Sequence, residues 1–393
     1  MDAPRHHRAG LWAVAFAFLS VLALSTVPTP LYPIYQDRDG FSDLLITVIF
    51  AAYAVGVIAA LFLLGHISDW LGRRRTLVPA LLLSVVSAAI FLVWRDVPGL
   101  LIGRVLSGLS VGVVTATATA YLTELHVSPQ RSQLLATVVN NGGLGLGPLV
   151  AGVLAETVDS PLTVPYVVFG VFVALAAVAV AFVPETVTRP ARRPAYRPQQ
   201  VAVPHAHRER YFGAAAGGFV SFAAFGLFTS LAPTFMAGTL GHTSHALAGV
   251  PAFAAFGAAI VAQLLTQAWA VQRLLGTGMA ALSAGLALVV TGAWLPSLGL
   301  FLAGGAIAGA GAGLLFKGGV MTASALAEPA RRAEALAGYF LAGYAGLAVP
   351  VVGLGVMREF LEPQVALLAF GALLLAGLAA SAQSLLARRA VAS

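Results

Sequence analysis

The chain has 393 residues and a net charge of +7, with 59% apolar residues, only 9% charged and a mean hydropathy of +0.90. So few charges cannot cover a soluble surface, which leaves a bilayer-embedded bundle as the class. Nucleic acid is excluded as a partner because most basic residues fall in short loops between apolar runs rather than in one solvated patch, and the absence of cysteine removes disulfides and thiol metal sites.

A window of about 20 residues, the length of a helical span, finds apolar stretches near Leu11 to Tyr32, Leu44 to Ile67, Leu77 to Trp94, Leu100 to Leu122, Leu134 to Leu154 and Val164 to Val183. Six more lie near Tyr211 to Met236, Ala246 to Trp269, Met279 to Trp294, Leu298 to Ser324, Leu336 to Met357 and Val365 to Leu386. The expected fold is therefore an all-α integral membrane protein of 12 transmembrane helices. Outside the spans, 17 basic residues fall on one side, against Arg38, Arg95 and Arg358 on the other, so both termini are expected to be cytoplasmic. Trp12, Trp70 and Trp269 fall at one set of helix ends and Trp94 and Trp294 at the other, as interfacial belts require. The first apolar run exceeds a signal-peptide core and leads into Pro28, Pro30 and Pro33, which favours an uncleaved first helix. Arginine outnumbers lysine 21 to 1, a usage that fits a high-GC bacterial gene.

The longest loop, 185–210, holds four prolines and six arginines. It reads as a cytoplasmic basic linker between an N-terminal six-helix half, 1–184, and a C-terminal half, 211–393. Pro129 and Arg131 after span four recur as Pro329 and Arg331 after span ten, an offset of 200.

Between spans two and three, Gly65, Asp69 and Gly72 are followed by Arg73, Arg74 and Arg75 in one very short loop. This spelling resembles the loop signature of the major facilitator superfamily, departing from it at Trp70, where a basic residue is usual. The resemblance implies two six-helix halves that rock around a central site. It also implies that Asp69 caps the start of span eleven and joins Arg73 and Glu124 in a charge relay that locks the outward-facing state. The alternative is a set of solvated interfacial charges. The counterpart in the second half, Gln272, Arg273 and Gly276, is degenerate.

Three further stretches carry the same resemblance. Gly143, Gly147, Pro148 and Gly152 in span five look like the glycine-proline motif of the antiporter branches, with Ala151 where glycine is usual; close helix packing is the alternative. Arg104, Ser107 and Gly108 in span four resemble an arginine-x-x-glutamine-glycine signature with serine in place of glutamine. An arginine about 6 Å inside a span could serve a site or snorkel to water. Pro184, Glu185 and Thr186, followed by Arg189, resemble a motif found after span six in several branches, or else form an ordinary helix end.

Lys317 is the only lysine and lies inside span ten, about 12 Å from its cytoplasmic end. That depth predicts an ammonium facing the cavity, where it binds an anionic group or titrates, or else pairs with a polar neighbour. Asn140 and Asn141 on span five and Gln263 and Gln267 on span eight are candidate polar contacts, the glutamines leaning toward interhelical hydrogen bonds. Phe222, Phe225 and Phe228 form an aromatic row facing either lipid or a drug pocket. Residues 11–34 contain no carboxylate, and no acid falls near the middle of any span, which leaves the proton carrier open.

The reading is a monomeric secondary transporter of a bacterial inner membrane, resembling the drug and metabolite efflux branch of that superfamily, moving a small molecule by alternating access in exchange for protons. The alternative is an importer or uniporter of an organic anion. No cofactor and no metal site is expected, and an intramembrane enzyme is disfavoured because the spans carry neither metal-ligand spacing nor a serine with a paired base.

Overall fold

The computed structural model describes residues 3–188 and 196–386, and among them every regular element is helical. Arg189 lies outside the described residues. In hydrocarbon no water is available to satisfy backbone groups, so a chain this apolar must bond its own N–H and C=O internally, which only helices or closed barrels achieve. The helices of the first half are α1 (Ala3–Thr26), α2 (Tyr32–Asp39), α3 (Asp43–Leu64), α4 (Ser68–Leu71), α5 (Arg73–Val93), α6 (Val97–Leu125), α7 (Pro129–Thr157) and α8 (Val164–Ala181). Those of the second are α9 (Arg208–Ser230), α10 (Ala232–Gly238), α11 (His245–Ala248), α12 (Val250–Leu265), α13 (Val271–Trp294), α14 (Leu298–Leu326), α15 (Arg332–Arg358) and α16 (Pro363–Leu386). Twelve stretches, α1 with α2 and α11 with α12 each counting as one, are long and apolar enough to cross a membrane.

Each expected span contains a helix, and the differences have local causes. Span one breaks after Thr26, passes through a 3-10 turn at Thr29–Leu31 and resumes as α2. Pro28, Pro30 and Pro33 lack the N–H that would continue the ladder, and the Val27 N–H takes the Leu24 carbonyl at 3.2 Å instead. Span seven is not continuous to Met236: it breaks at Leu231, just before Pro233. Helix α7 outruns its apolar stretch at both ends, because polar residues continue the helix beyond the hydrocarbon.

Helices α1, α3, α5, α6, α7 and α8 pack on one another, as do α9, α12, α13, α14, α15 and α16; α3 against α15 and α7 against α12 join the two groups. The halves repeat one plan. Helices α6 and α14 both have 29 residues, and α7 and α15 both contain an internal proline, Pro148 and Pro350. With an even number of spans, the start of α1 and the end of α16 lie on one side, called here the terminal face; the other is the far face. Large apolar side chains such as Val93, Phe182, Leu265 and Phe360 point outward, as lipid-facing residues do. In the linker, the Gln199 N–H donates to the Phe62 carbonyl at 2.8 Å and the Ala202 N–H to the Glu334 carbonyl at 3.3 Å, so this segment touches both halves.

Candidate functional site

A cavity of about 900 Å³, including its opening, lies between the halves. The first half lines it with Leu22, Ser25, Thr26 and Thr29, with Phe50 and Tyr53, with Arg104 and Thr115, and with Asn140, Asn141 and Leu144. The second half supplies Phe222, Phe225 and Thr229, then Phe256 and Phe316, then Phe340, Tyr344 and Leu347. The polar wall therefore comes from the first half and the aromatic wall mostly from the second. The proline break in span one is what leaves Ser25, Thr26 and Thr29 beside the cavity. Of the expected phenylalanine row, Phe222 and Phe225 face the cavity and Phe228 is buried away from it. The Asn141 amide donates back to the Thr137 carbonyl of its own helix at 3.0 Å.

Arg104 is 3% exposed. Snorkelling does not describe it: α6 begins at Val97, so the residue sits two turns inside the helix, and its side chain turns inward. Nη1 donates to the Ser25 carbonyl at 2.6 Å and Nη2 to the Phe50 carbonyl at 3.5 Å. The guanidinium carbon stands 4.8 Å from the Tyr53 ring centroid and 5.5 Å from that of Phe50, within cation–π range. Among the described residues Nε has no partner, and no carboxylate lines the cavity.

On the far face the halves are bonded directly. The Thr29 hydroxyl donates to the Thr229 carbonyl at 2.8 Å, and Thr234 donates to Gln36 at 3.0 Å. Arg358 and Asp43 form an ion pair at 2.9 Å, and Gln36 also bonds Asp43 at 2.8 Å. Glu156, at the end of α7, accepts from the backbone N–H groups of His245 at 2.6 Å and Ala246 at 3.3 Å, where α11 begins. Those N–H groups have no helical acceptor, and an anion there is favoured by the helix dipole. Within the cavity lining, Phe225 and Phe256 stack with centroids 4.5 Å apart. The bonds between Thr29 and Thr229, Gln36 and Thr234, Asp43 and Arg358, and Glu156 and His245 hold the two halves together on the far face. In the sequence Asp43 and Glu156 are only acids near span ends; their partners lie 315 and 89 positions away, a separation no local pattern encodes.

On the terminal face the signature loop is organised around Arg73. Its guanidinium bonds Asp69 at 2.6 Å, Ser68 at 2.7 Å and Glu124 at 2.8 Å, while its backbone N–H donates to Glu185 at 2.7 Å. Thr186 donates to Glu124 as well, so the segment after span six is part of the cluster rather than a plain helix end. Gly72 has φ +111°, a conformation that favours glycine, and a Cβ there would displace the Glu185 carboxylate from its place beside the loop. Arg74 reaches the Ala181 and Val183 carbonyls at 3.4 Å. The relay of Asp69, Arg73 and Glu124 is present, but Asp69 makes no bond to span eleven among the described residues; its side chain is 63% exposed. With the far face closed, the two halves make no direct hydrogen bond on this face among the described residues.

Two sequence candidates lie outside the cavity. Lys317 follows Phe316 on α14, and one residue further around a helix is a turn of about 100°; Phe316 takes the cavity-facing position, so Lys317 points to α12. There its Nζ donates to the Gln263 carbonyl at 3.2 Å and to the Thr266 carbonyl at 3.1 Å, in the last turn of α12 and at its C-cap, where a cation is favoured; the Thr266 carbonyl also accepts the Trp269 N–H at 3.2 Å. Gln263 contributes this carbonyl and not a cavity amide. The span-five glycines act in close packing. A Cβ on Gly143 would lie 2.6 Å from Leu22, one on Gly147 would collide with the Ala23 carbonyl, and one on Gly152 with the His245 carbonyl, so α7 approaches α1 and α11 almost backbone to backbone. Pro148 leaves the Leu144 carbonyl without a helical donor beside the cavity.

Comparison with known proteins agrees with this architecture. The quinolone resistance protein NorA of Staphylococcus aureus is 28% identical over 142 residues, 35% of this chain and 36% of that protein. The arabinose-proton symporter of Bacillus subtilis is 29% identical over 89 residues, 23% of this chain and 19% of that protein. The matched stretches thus span about a third and a fifth of those relatives. Among solved structures, a mutant of the peptide transporter POT superposes with a TM-score of 0.76 at 15% identity, covering 95% of this chain and 94% of that one. The human organic anion transporter MFSD10 does so with 0.67 at 18% identity, covering 95% and 99%; these likenesses concern the fold. The profile of the Major Facilitator Superfamily matches residues 14–291, well over half the chain, and with twelve spans around a central cavity this protein is a membrane transporter of the Major Facilitator Superfamily.

Proposed function

We propose that this protein exports small organic molecules, drugs or metabolites, across a bacterial inner membrane by alternating access, coupled to inward movement of protons. The observation that carries the reading is the half-to-half cavity, walled by aromatic rings and closed on the far face by bonds that other conformations can release. Large aromatic walls suit flat, apolar cargo of varied shape, and the stretch shared with NorA is a supporting likeness to a drug resistance protein. The basic loops favour a cytoplasmic placement of both termini, and on that placement the far face, where the halves are bonded, is periplasmic. The site is complete within one chain, which supports a monomer. Asp69, Arg73 and Glu124 are the proposed terminal-face gate.

A second reading, import or uniport of an organic anion, is favoured by Arg104, the one charged side chain in the cavity lining. Purified protein in proteoliposomes with an imposed pH gradient separates the two. Efflux of an organic cargo driven by the gradient supports the first; accumulation independent of the gradient removes it.

A further inference from the structure

We propose that the cargo carries one anionic group, a carboxylate or a group of like charge and shape, on an aromatic body, and that Arg104 receives it; this rests on the transport reading and names the substrate class. Arg104 is 3% exposed, yet its two acceptors are backbone carbonyls, and one of those bonds is 3.5 Å long. A guanidinium has five N–H donors, and Nε has no partner. The carbonyls and the faces of Phe50 and Tyr53 supply only partial negative charge, so the full positive charge of Arg104 has no formal counter-charge beside it.

The rest of the lining supplies no counter-charge. It contains hydroxyls and amides at Ser25, Thr26, Asn140 and Asn141, and rings across from them, but no carboxylate. A cationic cargo would meet repulsion from Arg104, offset only by the partial negative charge of the ring faces. An anionic cargo completes the unfinished shell of Arg104, with the planar fork matched to two oxygens. Phe222, Phe225, Phe256, Phe316 and Phe340 then form the opposite wall for an apolar body. The competing role for Arg104 is that of a rivet: its bonds to Ser25 and Phe50 tie α1 and α3 to α6.

Binding decides between them. Wild-type protein in lipid nanodiscs is titrated by calorimetry with matched triplets on several ring scaffolds: 1-naphthoate, 1-naphthamide and 1-naphthylmethylammonium, with the corresponding benzene and indole sets. The expected result is that at least one acid binds tenfold or more tightly than its own amide and amine. Arg104→Gln removes that preference, and Arg104→Lys keeps the acid-over-amine order at severalfold lower affinity. If amides or amines equal the acids on every scaffold, or if the preference persists in Arg104→Gln, Arg104 is a rivet and the proposal falls. Should Arg104→Gln fail to assemble, the wild-type ranking together with Arg104→Lys decides, since a rivet role predicts equal losses for acid and amide. Gradient-driven efflux of cations alone would overturn this proposal and leave the transport reading intact; acid-selective binding without any flux would do the reverse.

Discussion

Thr29 and Thr229 stand 200 positions apart and touch, the hydroxyl of the first donating to the carbonyl of the second at 2.8 Å. The same offset separates Pro129 from Pro329 and Arg131 from Arg331, so corresponding points of the two half-repeats meet at the roof of the cavity. Both threonines sit at proline-broken helix ends, where the ladder is interrupted and side chains and carbonyls are free to bond across. A roof made from the ends of two repeats opens if the repeats rock apart, which is the motion alternating access requires.

The ion pair between Asp43 and Arg358 belongs to that roof. A partly buried pair of this kind contributes about 1 kcal/mol, so Asp43→Asn should shift the balance between far-closed and far-open conformations about fivefold toward open. Double electron–electron resonance between spin labels on the far ends of α3 and α15 measures this. Exchanging the charges, Asp43→Arg with Arg358→Asp, should restore the wild-type distances; a shift that persists in the exchange would remove the pair from the latch.

In the signature loop the proposed gating role and stability can be separated by mutation. Asp69 is exposed and bonds only Arg73, so Asp69→Asn should change the melting temperature little, by less than about 1 kcal/mol, while strongly reducing transport. Arg73 is buried and holds Ser68, Asp69 and Glu124. Arg73→Ala removes the shared partner of both carboxylates and the bond to Ser68 and should destabilise by about 1–3 kcal/mol, clearly more than Asp69→Asn. Normal flux through correctly inserted Asp69→Asn would contradict the gate assignment.

Gly147 and Gly142 form a matched pair on one helix. A side chain at Gly147 meets the Ala23 carbonyl, whereas nothing lies within 4 Å of a Cβ at Gly142. Gly147→Val should push α7 from α1 and cost about 1–3 kcal/mol, with Gly142→Ala near neutral. Equal melting temperatures for the two variants would contradict the close-packing role.

Lys317 should behave as a helix cap. Removing its bonds to the last carbonyls of α12 by Lys317→Gln should lower stability by about 1 kcal/mol and leave the pH profile of transport unchanged. A shifted pH optimum in that variant would return Lys317 to the coupling machinery.

The orientation is testable because the chain has no background thiol. Cysteines at Ser42 and Ser160 should react with an impermeant maleimide added to intact cells, and one at Ala330 only after the membrane is opened. The reverse pattern would overturn the placement of the termini in the cytoplasm.

Sequence by itself determined the twelve spans, the signature loop and the repeat, because each depends on local quantities: apolar length, proline and glycine chemistry, and charge counted along the chain. Tertiary structure alone decided which side chains meet. Arg104 and Lys317 are both intramembrane cations in the sequence, and helical rotation and neighbouring carbonyls separate them, turning one into the cavity and the other onto the end of α12. One of the far-face acids, Glu156, gains its partners only once α7 is placed against α11. Long-range pairing of this kind leaves no periodic trace in the chain, since it is fixed by how the two halves pack and by which of their conformations is populated.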